Sequence, residues 1–185
     1  DISLWSIMMF ADLYDRVRIE YVSMLMQLIT YVVIIDPVHG KFFINKRIGG
    51  EERLLNMYSL GFGGHIDGTD YQPPKSFEKV AYTGAIRELR EELTINKKDL
   101  DLKHIGYTYS YSGETDNHLG IVFVLESGTA FIKEKDRIIG QWVTVDDIKN
   151  KYYFQLESWS KSIFDHFYES EQFQTKYPSM FKKLA

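Results

Sequence analysis

Nine consecutive residues, Arg87-Glu88-Leu89-Arg90-Glu91-Glu92-Leu93-Thr94-Ile95, decide how this chain folds. Upstream of them stands Ser76, a good helix N-cap, and we expect one helix from there through Leu93. At about 100° per residue, Glu92 lies about +40° and Glu91 about −60° from Glu88 around the helix axis. Three carboxylates therefore share one arc of the helix surface.

The neighbouring side of the same helix is apolar. A narrow sector, suited to packing on a sheet, contains Tyr82, Ile86, Leu89 and Leu93. The segment therefore predicts an amphipathic helix whose buried stripe runs beside a row of carboxylates.

The carboxylate arc has the geometry of a cation site. Glu88 and Glu92 are four residues apart and repel each other on a bare helix. A divalent cation between them would turn this repulsion into coordination, and Mg²⁺ prefers such oxygen ligands. Arg87 stands four residues before Glu91 and can hold that carboxylate in place. The alternative is a solvated charged face, which is the usual meaning of a charge run.

The context upstream of the helix favours the cation site. The segment Gly61-Phe62-Gly63-Gly64-His65-Ile66, at the end of an expected strand, leads by a loop into the helix. Together the two segments resemble the Nudix box, G-x5-E-x7-R-E-U-x-E-E-x-G-U, in which U is aliphatic. Residues 87–95 match its second half at every specified position except Thr94, which replaces the glycine that usually ends the helix.

The first half of the box departs further from the pattern. Between Gly64 and Arg87 lie 22 residues, where the pattern allows 13, so nine are inserted. Asp70 stands at the expected distance from Gly64, whereas Glu78 is one residue off the expected distance from Arg87. Which of them replaces the first glutamate stays open. The pair Pro73-Pro74 predicts that the insertion enlarges the loop and leaves the helix intact.

The rest of the chain is similar to the Nudix domain layout. A β-branched strand (28–35) and a returning strand (41–47) precede the box, and two strands (102–110 and 118–126) follow it. Gly140-Gln141-Trp142-Val143, leading to an acidic helix start, resembles the closing element of the family. We expect an α/β fold of the Nudix type, an α/β/α sandwich around a mixed sheet. The expected divisions are an N-terminal helical extension (1–27), the Nudix domain (28–168) and a C-terminal tail (169–185).

The resemblance implies a metal-dependent hydrolase. Such an enzyme cleaves a phosphoanhydride bond in a nucleoside diphosphate linked to another moiety, or in a related nucleotide. The implied catalytic residues are Arg87, Glu88, Glu91 and Glu92. The implied ligands of Mg²⁺ or Mn²⁺ are the three glutamates and the carbonyl of Gly64.

Further candidates surround these residues. Substrate contacts are expected from Gly63, Gly64, His65 and Arg47, although His65 could instead cap its loop. A Nudix enzyme commonly uses one more loop acid, and the candidates are Glu114, Asp116, Glu134 and Asp136. Tyr107, Tyr109 and Tyr111 alternate along one strand and share a face, which suits base stacking but more often forms core or a dimer surface. A homodimer is therefore one expectation.

Composition limits the other classes. The 185 residues suit one domain, and a net charge of −4 without a basic block argues against polymeric nucleic acid as a partner. With no cysteine, disulfides, thiolate zinc sites and cysteine nucleophiles are excluded. The apolar stretch 4–11 is too short to span a bilayer and lacks a basic leader, so we expect no membrane partner and a cytoplasmic location. The chain opens with Asp1 and not with Met, which leaves open how many residues precede it.

Two other functions share the fold. The insertion and Thr94 favour a non-catalytic ligand-sensing module, but a decayed site would have no reason to keep three mutually repelling carboxylates. An isopentenyl-diphosphate isomerase-like enzyme is disfavoured because those isomerases rely on a cysteine.

Overall fold

The computed structural model describes residues 26–49, 54–71, 76–95, 100–111 and 117–181. Its strands are β1 (Gln27–Asp36), β2 (Lys41–Arg47), β3 (Tyr58–Ser59), β4 (Gly61–His65), β5 (Leu93–Thr94), β6 (Leu102–Tyr111), β7 (Asn117–Glu126), β8 (Phe131–Ile132) and β9 (Ile138–Thr144). Its helices are α1 (Phe77–Glu92), α2 (Val145–Asp147), α3 (Ser158–Glu169) and α4 (Glu171–Lys176). A π-helical turn (Ile148–Tyr152) and two 3₁₀ turns (Tyr153–Gln155 and Pro178–Phe181) complete these elements.

A seven-stranded mixed sheet forms the centre of the molecule. Its central strand β1 is β-branched and buried on both faces, as expected of a strand covered on both sides. It pairs in parallel with β7 along one edge. Along its other edge it pairs antiparallel with β2 at residues 34–36 and with β4 at residues 29–33. The strands β2 and β4 therefore pair with successive stretches of the same edge of β1.

Helices cover both faces of this sheet. Apolar residues of α1 pack on one face, and those of α3, α4 and the last 3₁₀ turn pack on the other. The expected α/β/α sandwich around a mixed sheet is confirmed.

The buried face of α1 is rotated from the expected stripe. Leu89 and Leu93 are buried as predicted, but Tyr82 and Ile86 are only partly buried. The most deeply buried positions of the helix are instead Val80, Ala81, Gly84, Ala85 and Leu89. Small side chains let the helix backbone approach the sheet closely, and a stripe defined by large apolar residues alone misses them.

The end of α1 explains how Thr94 replaces glycine. The helix stops at Glu92, and Leu93 and Thr94 continue directly as β5, which pairs with β8. Leu93 has extended backbone angles (φ −126°, ψ 151°), so the chain leaves the helix without a left-handed turn. Threonine is favoured in a strand, and no glycine is required at position 94.

Both ends of the domain differ from a simple division at 28 and 168. Gln27 already belongs to β1. Residues 171–181, expected within a tail, are folded, and Phe173, Tyr177 and Met180 are buried in the core. The expected N-terminal helices and Pro73-Pro74 lie outside the described residues, and the domain boundaries stay predictions.

Candidate active site

The last turns of α1 carry three glutamates. The Glu88 side chain is 14% exposed and that of Glu91 is 55% exposed. Acidic groups near the C-terminus of a helix oppose the helix dipole, and Arg90 is the basic residue of this last turn. The glutamates therefore oppose the helix dipole at the place where the sequence predicts a cation.

Arg87 uses all five of its N–H donors. Its Nε and Nη2 donate to Asp70 Oδ1 and Oδ2, both at 3.0 Å, and Nη2 also donates to the His65 carbonyl oxygen at 2.8 Å. Its Nη1 donates to Glu88 Oε1 at 2.7 Å and to Glu91 Oε1 at 3.3 Å. The arginine thus links the loop, the strand end and two glutamates. Asp70, and after it Glu88, raises the pKa of Arg87.

Asp70 is the acid that anchors Arg87. Its side chain is 1% exposed, and its Oδ2 also accepts the Asp67 N–H at 3.1 Å. Gly84 of α1 leaves room for it, because a Cβ at position 84 would lie 3.0 Å from Asp70 Oδ2. The exposed Glu78 lies elsewhere, where its charge acts on His104 and Tyr107 of β6.

Gly64 lies directly against the helix. A Cβ at this position would come within 2.6 Å of the Glu88 carboxylate, so any larger residue would displace that carboxylate. Partial burial raises the pKa of Glu88, and the charge of Arg87 opposes that shift. The strand β4 therefore presents its backbone to the first glutamate of the arc.

Glu92 sits in a different environment from Glu88 and Glu91. Burial raises its pKa to about 8. The charge of Arg47 opposes this rise, and the charges of Glu88, Glu134 and Glu157 add to it. Glu134 follows Lys133, whose N–H donates to the Glu92 carbonyl oxygen at 2.8 Å. Of the two candidate loop acids in the described residues, Glu134 and Asp136, it is thus Glu134 whose charge acts on Glu92.

The donor set suits a hard divalent cation, since it consists of carboxylate and carbonyl oxygens. Within residues 26–49, 54–71, 76–95, 100–111 and 117–181, however, no three His, Asp or Glu side chains are already gathered around a metal position. Glu88 and Glu91 instead point one oxygen each at Arg87. A cation would draw these carboxylates away from the guanidinium.

Comparison with known proteins shows which sequences and structures this chain resembles. No model of a known protein family matches the sequence. Protein YmaB of Bacillus subtilis (strain 168) is 36% identical over 150 residues, covering 75% of this chain and 69% of YmaB. The crystal structure of Tm1382, a proposed Nudix hydrolase, is 29% identical with a TM-score of 0.65, covering 82% of this chain and 75% of Tm1382.

The chain belongs to the Nudix hydrolase family. Its reaction class is hydrolysis of a pyrophosphate bond. A more distant structure, the MutT Nudix hydrolase from Burkholderia pseudomallei, shares the Nudix fold at 16% identity and a TM-score of 0.56, covering 76% of this chain and 97% of that protein.

The remaining candidates fall into three groups. Arg47 lies near enough to Glu92 to lower its pKa, and its buried Nε has no hydrogen-bond partner among the described residues. Asp136 is exposed in the turn before β9. Glu114 and Asp116 lie outside the described residues.

The His65 side chain contacts another histidine, His118. Its Nε2 lies 3.1 Å from Nε2 of His118 on β7, and the His118 ring meets the edge of Trp159 from α3. The imidazole thus lies on the sheet face opposite α1, and only the His65 carbonyl contacts Arg87. A phosphate contact by His65 stays a prediction.

Of the tyrosine stripe, Tyr107 is partly buried against the core under α1, and Tyr109 is 53% exposed. No helix among the described residues is long and apolar enough to cross a membrane. The homodimer and the cytoplasmic location stay predictions.

The structural importance of two further residues, Gly84 and Glu157, could not be recognised from the sequence. Gly84 has the ordinary appearance of a glycine within a helix, and its value lies in the space it leaves for Asp70. Glu157 precedes α3 like a surface residue at a helix start, yet it is 3% exposed.

Proposed function

We propose that this chain is a divalent-metal-dependent hydrolase. It cleaves a pyrophosphate bond in a nucleoside diphosphate linked to another moiety, or in a related nucleotide. The observation that carries the proposal is the set of Glu88, Glu91 and Glu92 at the end of α1, with Arg87 fixed by Asp70.

Each residue of the site has a distinct proposed role. Glu88, Glu91, Glu92 and the carbonyl of Gly64 would hold Mg²⁺ or Mn²⁺. The metal would neutralise the diphosphate and lower the pKa of an attacking water. Arg87 orients the carboxylates. Arg47, whose charge acts on Glu92, would donate guanidinium N–H groups to a phosphate oxygen in charge-assisted hydrogen bonds.

The substrate class is a further part of the proposal. A bifunctional NMN adenylyltransferase/ADP-ribose pyrophosphatase from Francisella tularensis, solved with AMP and a manganese ion, shares the fold at 16% identity and a TM-score of 0.53. That match covers 78% of this chain and 42% of the other protein. ADP-ribose with Mn²⁺ is therefore a sensible first assay.

The test is a screen of ADP-ribose, nucleotide sugars, dinucleoside polyphosphates and nucleoside triphosphates, each with Mg²⁺ or Mn²⁺. We expect turnover of one class, lost on chelation with EDTA, and the nucleotide products identify the bond that is cleaved. A protein that binds Mn²⁺ and these nucleotides without turning any of them over would instead be a ligand-sensing module.

A further inference from the structure

A carboxylate is buried on the sheet face opposite α1. Oε1 of Glu157 accepts hydrogen bonds from the hydroxyls of Ser59 at 2.5 Å, Ser160 at 3.1 Å and Tyr31 at 3.3 Å. In the described part of the chain, none of its contacts is with lysine or arginine. Burial of a carboxylate without a cationic partner costs stability. Among the described residues, the Glu157 side chain is therefore compensated by these three hydroxyl donors.

The hydroxyls around Glu157 hold the backbone at the start of β4. Ser160 Oγ accepts the Leu60 N–H at 2.9 Å, and the Tyr31 hydroxyl accepts the Gly61 N–H at 2.8 Å. Both amides thus bond to side chains at the point where the pairing along β1 changes from β2 to β4.

The acceptor oxygen Oε1 of Glu157 sets the direction of the hydrogen bonds in this network. A carboxylate only accepts hydrogen bonds, so the surrounding hydroxyl protons turn toward it and the hydroxyl oxygens stay available to Leu60 and Gly61. The Gly61 carbonyl is held separately, by Asn45 Nδ2 at 2.8 Å. Both backbone polar groups of Gly61 are therefore fixed by side chains.

The start of β4 decides where Gly64 lies. Gly61 pairs with Val33 and Gly64 with Thr30 in one continuous antiparallel register, so a shift at residue 61 is carried along the strand. At Gly64 the backbone is already in close contact with the Glu88 carboxylate.

We infer that Glu157 is a positioning residue of the active site. Through the hydroxyls of Ser59, Ser160 and Tyr31 it fixes the start of β4, and so the carbonyl of Gly64 relative to Glu88. The inference rests on the proposed function only in treating that carbonyl as a metal ligand.

Three variants test this role. Glu157→Leu keeps most of the volume and removes the acceptor, whereas Glu157→Gln keeps an oxygen that can accept from the same hydroxyls. Glu169→Leu, at an exposed glutamate on the same helix, is the matched control. For each protein we would measure amide hydrogen exchange at Leu60, Gly61 and Gly64 by NMR, and Mn²⁺ affinity by electron paramagnetic resonance with the metal alone.

We expect Glu157→Leu to stay folded, because it replaces a buried charge by an apolar group. Its amides at Leu60 and Gly61 should exchange faster, and its Mn²⁺ affinity should fall by about 10–100-fold, as for other residues that orient metal ligands. Glu157→Gln and Glu169→Leu should stay close to the wild type in both measurements.

Three results would overturn the inference. Wild-type exchange at Leu60 and Gly61 in Glu157→Leu would show that the carboxylate does not hold β4. Faster exchange with unchanged Mn²⁺ affinity would reduce Glu157 to a structural residue. Equal damage from glutamine and leucine would show that the charge itself acts on the site. A wild-type protein that binds no Mn²⁺ would contradict the proposed cation site, and the exchange rates would still decide whether Glu157 holds β4.

Discussion

At the scale of single residues, the proposed chemistry of the site depends most on Glu92. It stands at the C-terminal end of a helix, partly buried, with other carboxylates around it and Arg47 as the opposing charge. The helix C-terminus, the burial and the neighbouring carboxylates all disfavour the ionised form of Glu92, whereas Arg47 favours it. A divalent cation would reverse that preference, so protonation and metal binding compete at this residue.

Glu92→Gln should remove a ligand charge and keep the shape of the side chain. On a substrate from the screen, we expect hydrolysis to fall by about 10²–10⁴. Glu78→Gln on the same helix is the control, because Glu78 is exposed and faces β6, and its rate should match the wild type. If Glu92→Gln is as fast as the wild type, the carboxylate arc is only a charged surface.

The affinity for Mn²⁺ should depend on pH through Glu92. A ligand carboxylate must lose its proton to bind metal, and the pKa of Glu92 in the metal-free protein is about 8. Apparent affinity should therefore rise with pH up to about 8 and then level off. Titrations between pH 6 and 9 test this, and an affinity that is flat over the range would contradict it.

The same shift predicts a change in stability. The folded pKa of Glu92 lies above its ordinary value of 4.5, so the folded metal-free protein binds this proton more tightly than the unfolded chain. The stabilisation is present below about pH 4.5 and is lost as the pH rises toward 8. Urea unfolding at pH 6 and pH 9 should show a larger loss in the wild type than in Glu92→Gln.

At the scale of elements, a buried ion pair joins the loop after β4 to α1. Asp70 holds Arg87 through two hydrogen bonds, and Arg87 in turn holds Glu88 and Glu91. The loop and the helix therefore act as one unit. Gly84 is part of that unit, because it lets Asp70 approach the helix.

Asp70→Asn should weaken the fold and the site together. An asparagine can accept one of the two hydrogen bonds but turns an N–H group toward the guanidinium. We expect the free energy of unfolding to fall by about 1.5–3 kcal/mol, measured by urea unfolding. Asp67→Asn is the control, because Asp67 is 49% exposed and 3.7 Å from Arg87, so its loss should change stability by less than about 0.5 kcal/mol. Equal effects of the two variants would contradict the assignment of Asp70 as the anchor.

At the scale of the whole molecule, the C-terminal segment completes the core on the face opposite the site helix. Phe173 of α4 stacks on Phe167 of α3 at 4.2 Å between ring centroids. Tyr177 is buried nearby, and its hydroxyl donates to Glu126 at 2.7 Å. The residues after α3 therefore belong to the packed domain.

Phe173→Ala should destabilise the protein without touching the site. Removal of a buried phenylalanine costs about 3–5 kcal/mol, so the midpoint of urea unfolding should fall clearly. Phe154→Ala is the matched control, since Phe154 is 88% exposed. Mn²⁺ affinity of the folded Phe173→Ala protein should equal that of the wild type; a weaker affinity would mean that this segment also positions the site.

The sequence by itself determined the local geometry. The spacing of Glu88, Glu91 and Glu92 places them on one arc in any α-helix, and the buried character of β1 follows from its β-branched run. Both depend on residues a few positions apart, where the backbone period fixes which side chains share a face. The α/β/α sandwich then followed from resemblance to a known family, and the structure confirms it.

Only the tertiary structure decided the partners that lie far apart in the chain. It selected Asp70 over Glu78 for Arg87, set Glu134 near Glu92, and brought Glu157 to Ser59 across 98 positions. It also let Thr94 stand in place of glycine, because β8 offered a strand partner. Such contacts depend on how helices and strands pack, and the spacing of residues along the chain carries no information about that packing.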